Sequence, residues 1–213
     1  MKTKPFDFKN TQDFDRHIDL SIPNYSTLDS IFSNIALEFA QAEGAVVDLG
    51  CSTGRFLHSL PKIEQARYIG IDEVEMAQFN SFDLIIGDCE EYLPDIENVT
   101  VIVSMFFLQF LGKYKRQRVL AQIKDHIERG ATFLVAEKVY LNDARLQNLI
   151  HRMHIQSKRE SFDDKEILDK DKQLSISMFC KTETELNNEL NQLGNVTKVW
   201  QSYNFLGYVI QSF

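Results

Sequence analysis

The chain has 213 residues, of which 44% are hydrophobic and 25% charged, with 9 Gly and 4 Pro. This balance excludes a disordered or collagen-like chain, fits one domain, and leaves no apolar run near the ~18–20 residues that a membrane helix needs. A net charge of −8 excludes nucleic-acid binding through the overall field, and three cysteines (Cys51, Cys89, Cys180) make neither a disulfide framework nor a zinc pair.

The segment Met1 to Asp7 is polar and lacks the apolar core of a secretion signal, so the expected compartment is the cytoplasm. Residues 1–20 carry scattered aromatics and read as an arm or irregular cap. Ser21-Ile22-Pro23-Asn24-Tyr25-Ser26 is rich in turn formers. From Thr27 to Gln41 the apolar positions Leu28, Ile31, Phe32, Ile35, Ala36 and Phe39 recur at helical steps. Ala45–Leu49 is a short apolar run ending at glycine, as buried parallel strands do. A short helix follows over Phe56–Leu60, then strands over Ala66–Ile71, Phe82–Ile86 and Val99–Val103. A charged amphipathic helix spans Tyr114–Arg129 and Gly130 stops it. Thr132–Ala136 is the next strand.

The tail changes character. Residues from Asp143 to about Asp171 are helical in pattern and highly charged, and 143–175 is expected to form a cap. Thr182–Leu193 is a helix. Thr197–Ser202 and Tyr208–Phe213 are strands joined by a short turn. Alternating strands and helices followed by a hairpin predict an α/β domain with a mainly parallel sheet and an antiparallel C-terminal hairpin.

The strongest chemical signal is Val46-Val47-Asp48-Leu49-Gly50-Cys51-Ser52-Thr53-Gly54. A buried strand ends at an acid, turns on small residues and enters a helix. Ligands of open parallel sheets bind outside such strand ends. Gly50 lets backbone approach a ligand closely. The next strand ends at Asp72, 22 residues after Gly50, where a carboxylate suits a ribose diol. The third ends at Asp88-Cys89. Ser52 stands where a dinucleotide fingerprint needs glycine, which disfavours a nicotinamide reductase.

Asp-x-Gly-x-x-x-Gly followed by an acidic strand end resembles the first two motifs of class I S-adenosylmethionine-dependent methyltransferases. That resemblance implies a Rossmann-like, seven-stranded sheet ending in a hairpin. More narrowly, Ser21–Ser26, Val47–Ser52, Phe107-Leu108-Gln109-Phe110-Leu111, Glu137-Lys138 and Tyr203-Asn204-Phe205 are similar, in order and spacing, to the carboxy-S-adenosylmethionine-dependent tRNA uridine carboxymethyltransferases. The resemblance implies S-adenosylmethionine or its carboxylated form as cofactor. It implies a site of Asp48, Gly50, Cys51, Ser52 and Gly54 in the turn, Asp72 and Glu73 at the ribose, Asp88 and Cys89 at the adenine, and Tyr25 against the cofactor. Met105 stands at the position where that family has a cofactor-facing asparagine. Asp171 aligns with its carboxylate-binding arginine, with Lys170 and Lys172 on either side, so ordinary S-adenosylmethionine is the favoured donor.

Such transfer asks the protein mainly to align donor and acceptor in a dry pocket. If a base is needed, the candidates are Glu137, Asp88 and Tyr203. Trp200 either lines the acceptor pocket or packs, and Gln109 fixes an acceptor or caps a loop. His151 and His154 have metal-compatible spacing but no third ligand, so no metal is expected. Lys113–Arg118 and Arg145, Arg152, Lys158 and Arg159 would suit tRNA if they formed one face. The resemblance also implies a homodimer. A cofactor-binding partner protein without transfer activity is the competing class.

Overall fold

A computed structural model of the chain describes residues 14–213. Seven strands form one sheet: β1 (Ala45–Leu49), β2 (Arg67–Asp72), β3 (Asp83–Ile86), β4 (Val99–Met105), β5 (Thr132–Tyr140), β7 (Asn195–Ser202) and β8 (Phe205–Gln211). Their order is β3-β2-β1-β4-β5-β8-β7, and the two-residue β6 (Lys181–Thr182) pairs with the end of β5. Strands β1 to β5 run parallel. β8 enters antiparallel beside β5, and β7 closes the edge antiparallel to β8. This is the mainly parallel sheet with a terminal hairpin that the sequence predicts.

The parallel strands are apolar because helices cover both faces. All five residues of β1 are buried. By strand alternation Val47 and Leu49 pack with Ile123 and Ile127 of α5 (Lys113–Glu128). Val46 packs with Leu28, Phe32 and Ala36 of α2 (Tyr25–Phe39) on the other face. Those three α2 residues, spaced by four, are at most 1% exposed. Truncating Leu28 to alanine should cost about 2–5 kcal/mol.

The chain leaves β1 toward β2 on one side and returns through β4 to β5 on the other. The crevice at the carboxyl ends of β1 and β4 is therefore the topological switch point. Among the described residues no helix is long and apolar enough to cross a membrane.

One expectation changes and another gains detail. The expected arm is, from Phe14 to Ser21, a helix, α1, while residues 1–13 lie outside the described residues. The charged stretch after Asp143 is two helices, α6 (Ala144–Lys158) and α7 (Asp164–Ser177). Asp163 starts the second with a capping box, its side chain accepting from Glu166 N while Glu166 accepts from Asp163 N. The shorter helices are α3 (Arg55–Ser59), α4 (Cys89–Tyr92) and α8 (Glu183–Leu190).

Candidate active site

A cavity of about 400 Å3 opens at the switch point. Its first wall is the turn after β1. Gly50, Ser52 and Gly54 alternate in the left-handed region, with φ of 73°, 52° and 79°. Added side-chain carbon on Gly50 would overlap the Phe107 ring, and on Gly54 the Phe82 ring. The glycine at 50 thus admits the Phe107 ring beyond the end of β4 and still lines the cavity. Ser52 N–H donates to Asp72 Oδ2 at 2.9 Å, and Val74 N–H donates to Asp72 Oδ1 at 2.8 Å. Each carboxylate oxygen keeps acceptor capacity for a further donor. The Ser52 hydroxyl is buried and has no hydrogen-bond partner among the described residues, a deficit that a polar ligand atom would remove.

Asp48 sits under this turn, 3% exposed. Burial, reinforced by the negative charges of Asp72 and Asp29, pushes its carboxyl up to about 8. Burial also raises Asp72 and the Cys51 thiol, which argues against a thiolate nucleophile at Cys51. This end of the cavity therefore favours a cation and a diol.

The second wall comes from β4 and α2. Phe106 is left-handed at φ 58° and its N–H donates to Ala136 O at 2.7 Å. That kink sets its ring edge-on to Phe205 with centroids 5.8 Å apart. Strained backbone of this kind persists where surrounding packing fixes it. Tyr25 lies beside it, its hydroxyl 3.9 Å from Met105 Sδ and its ring under the Arg55 guanidinium at 4.9 Å. Burial raises the Tyr25 phenol, which stays protonated.

The far wall is basic. Lys138 from β5, Lys158 from α6 and Lys170 from α7 all line it. Burial, together with Lys138, lowers Lys158 to about 8, and burial lowers Lys170 to about 7. The Lys170 ammonium lies 3.5 Å from Ser21 Oγ. His154, lowered to about 3 chiefly by burial and then by Lys158, is neutral and bonds Ser21 O at 2.7 Å. Asp171 is exposed and off the cavity wall, and its charge favours the Lys158 ammonium instead. A helix turns about 100° per residue, so placing Lys170 inward turns Asp171 away. The premise for disfavouring a carboxylated ligand thus does not hold in the structure.

Of the residues singled out in the sequence, Tyr25, Asp48, Gly50, Cys51, Ser52, Asp72, Glu73 and Met105 line the cavity. Gly54, Asp88 and Cys89 do not. Gly54 is filled by Phe82, Cys89 is core, and Asp88 caps α4 through Glu90 N. Asp88 reaches the site indirectly, because Lys115 on the wall binds both Glu73 Oε1 and Asp88 Oδ2 at 2.7 Å.

Two of the base candidates, Glu137 and Asp88, are engaged in ion pairs. Glu137 is 1% exposed and forms a two-point pair with Arg116, which Glu189 shares. Tyr203 takes a turn at φ 50°. Asn204 bonds Val139 O at 2.6 Å. Gln109 ties the loop together, accepting from Lys138 N with its side chain and from Phe179 N with its carbonyl. Trp200 is buried in the core. In the stretch 113–118, Lys115 and Arg118 pair with acids, Arg116 is buried and Lys113 is exposed. His154 faces inward to Ser21, and no metal-binding cluster occurs among the described residues.

Arg55, Lys138 and Lys158 belong to the site and were not among the expected site residues. The turn after β1 and the acids of the first wall had a local sequence signal, and these three basic residues did not.

No family profile matches the chain. A carboxy-S-adenosyl-L-methionine synthase of Yersinia pestis (strain Pestoides F) is 31% identical over 216 residues, covering 94% of this chain and 81% of the relative. The synthase of Shewanella sp. (strain W3-18-1) is 28% identical over 222 residues, covering 96% and 90%. Among solved structures, a SAM-dependent methyltransferase from Archaeoglobus fulgidus superimposes with a TM-score of 0.58 at 12% identity, covering 94% of this chain and all of that one. The plantazolicin methyltransferase BpumL, solved with SAH, gives 0.60 at 12% identity over 93% and 87%. These two share the fold.

Proposed function

The chain belongs to the carboxy-S-adenosyl-L-methionine synthase family, an enzyme group on the S-adenosylmethionine-dependent methyltransferase fold, and from that premise we propose that it attaches a carboxyl group to the methyl of S-adenosylmethionine. The observation that carries this reading is the polarity of one cavity. Asp48, Asp72 and Glu73 stand at the β1–β2 end, and Lys138, Lys158 and Lys170 at the β5 end. Three strand spacings, roughly 14 Å, separate β2 from β5. A ligand with a diol and a cation at one end and a new carboxylate at the other matches both.

When bound, S-adenosylmethionine would supply a methyl carbon acidified by its positive sulfur, and the exchange balances with a carboxylic-acid co-substrate whose bond to its carboxyl group breaks, the methyl proton passing to the fragment that the carboxyl group leaves. The chain's residues do the rest by placement. Asp72 would accept the ribose hydroxyls while Ser52 N–H holds it in register. Ser52 Oγ and ionised Asp48 would face the methionine end. Phe106, Met105 and Phe205 keep water from the reacting carbon. Lys158 and Lys170 would hold the carboxylate, by charge-assisted bonds worth about 1.5–3 kcal/mol each.

Exposed Leu146, Leu149 and Met153 on α6 and Leu168 and Ile176 on α7 support pairing with a second copy of the chain. Light scattering at micromolar concentration tests that: a dimer mass is expected.

Native mass spectrometry of the freshly purified protein tests the function. The expected adduct has the mass of S-adenosylmethionine raised by one carbon dioxide, and it should persist in protein made without any tRNA-modifying partner. An adduct of plain S-adenosylmethionine, with transfer of its methyl group to an added acceptor, would favour ordinary methyl transfer. Turnover of the carboxylated donor on added tRNA would instead favour the carboxymethyltransferase reading.

A further inference from the structure

Helix α1 forms part of the cavity wall through Phe14, Asp15, Ile18 and Ser21. Its two ends are held differently. At the C-terminal end, Ser21 O accepts from His154 Nε2 at 2.7 Å. The chain then passes Ile22-Pro23-Asn24 into α2, with Asn24 left-handed at φ 60° and its amide donating to Ser202 Oγ at 3.0 Å. This end is anchored to α6 and β7 by partly or fully buried bonds.

Elsewhere α1 is fastened to the cofactor turn itself. Thr53 Oγ1 donates to Asp15 Oδ1 at 2.7 Å, and Thr53 is 2% exposed. One turn along, Arg55 meets Asp19 with two parallel bonds of 3.0 Å each. Thr53 directly follows Ser52, whose N–H is fixed by Asp72, and Arg55 opens α3 three residues on. The bidentate pair is half exposed on the Asp19 side, with 50% of the side chain accessible. Such a pair is strong enough to set a geometry and weak enough to open.

We propose that α1 is a latched strap. Asp15 and Asp19 close it onto Thr53 and Arg55, it swings about Ile22–Asn24, and its release admits and frees the adenosyl ligand. A ligand seated on Gly50–Ser52 rigidifies the turn that carries both latch partners, so binding favours closure and the ligand is enclosed by its own contact loop. The latch residues touch α1 and not the reacting atoms, so they govern exchange of ligand rather than chemistry. The strap itself stands on the contacts of α1; only its effect on the ligand rests on the adenosyl reading above.

The test uses the full chain and two readouts. In the double variant Asp15→Asn/Asp19→Asn, hydrogen exchange of residues 14–21 should rise about tenfold, the value of one lost charge-assisted contact. Exchange of α2 should stay within about twofold. With S-adenosylhomocysteine as probe, association and dissociation rates should both rise about tenfold and Kd should move by less than about threefold. The variant Asp15→Asn/Asp19→Glu, which keeps a carboxylate for Arg55, should return both readouts toward the native values, which a merely misfolded variant would not do. Unchanged exchange of 14–21 in the double variant overturns the latch. Faster exchange with unchanged ligand dissociation overturns the strap as the gate. If S-adenosylhomocysteine does not bind at all, the adenosyl reading and with it the gate are wrong, and the exchange rates alone decide the latch.

Discussion

At the β1–β2 end of the cavity, polar groups are positioned by backbone: Asp72 is held by two peptide N–H groups, and Ser52 by a turn of alternating left-handed residues. At the β5 end the polar groups are three long side chains from three separate elements, and two of them are lysines whose charge burial weakens. The first end is rigid and local in sequence. The second is assembled only by tertiary packing. A backbone-built subsite suits the invariant part of a ligand, while a side-chain-built subsite can be retuned by single substitutions. Under the proposed function, that division would put the adenosyl group at one end and the added carboxylate at the other.

The comparison can be broken at either end. Asp72→Ala removes the diol acceptor and frees the Ser52 and Val74 amides, so S-adenosylhomocysteine affinity should fall about 100-fold or more by calorimetry. A loss below about threefold would take the ribose away from Asp72. Next in size is the opposite end. Lys158→Met/Lys170→Met should weaken the carboxylated ligand by about 10–100-fold and leave plain S-adenosylmethionine within about threefold. Equal losses for both ligands would make the lysines part of the scaffold.

A smaller effect is set by pH, with opposite signs at the two ends. Burial raises Asp48 to about 8, so below that pH the free protein holds it protonated while a cationic ligand favours its ionised form. Affinity for S-adenosylmethionine should therefore rise with pH toward 8, by at most about tenfold per unit, and flatten above it. Lys170 near 7 and Lys158 near 8 must be protonated to hold an anion. The preference for the carboxylated ligand should therefore shrink as pH rises through 7 to 8. Titrations at several pH values that show parallel trends for both ligands would contradict the two-ended description. The smallest expected effect is that of Asp171→Arg. An exposed residue off the wall should change either affinity by less than about threefold. A large gain for the carboxylated ligand would put position 171 inside the cavity.

The two ends also differ in how far they are legible from sequence. The turn 50–54 and Asp72 carry a local pattern, strand end to small residues to acid, and the structure brings them together. The succession of strands along the chain and the final hairpin follow from apolar runs bounded by acids and glycines, while their order across the sheet does not. Lys138, Lys158 and Lys170 carry no such pattern, because their convergence depends on how α6 and α7 fold back over β5. Their neighbours mislead: Asp171 looks opposed to a carboxylate until helix rotation turns it outward. Gly50 and Gly54 are legible as turn formers, but their partners Phe107 and Phe82 are distant in sequence. Glu137 reads as a base at a strand end, and only the fold reveals Arg116 and Glu189 around it. Helix α1 escapes because a single eight-residue helix gives too short a period, and its Asp15 and Asp19 gain meaning only from Thr53 and Arg55.

The most direct test of the two-ended cavity is calorimetric competition between S-adenosylmethionine and its carboxylated form on the native protein, stripped of bound ligand, at pH 7. Tighter binding of the carboxylated form by about tenfold or more, lost in Lys158→Met/Lys170→Met, is the predicted result. Equal binding of the two, or preference for the plain form, would contradict a carboxylate subsite at the lysine end and return the chain to ordinary methyl transfer.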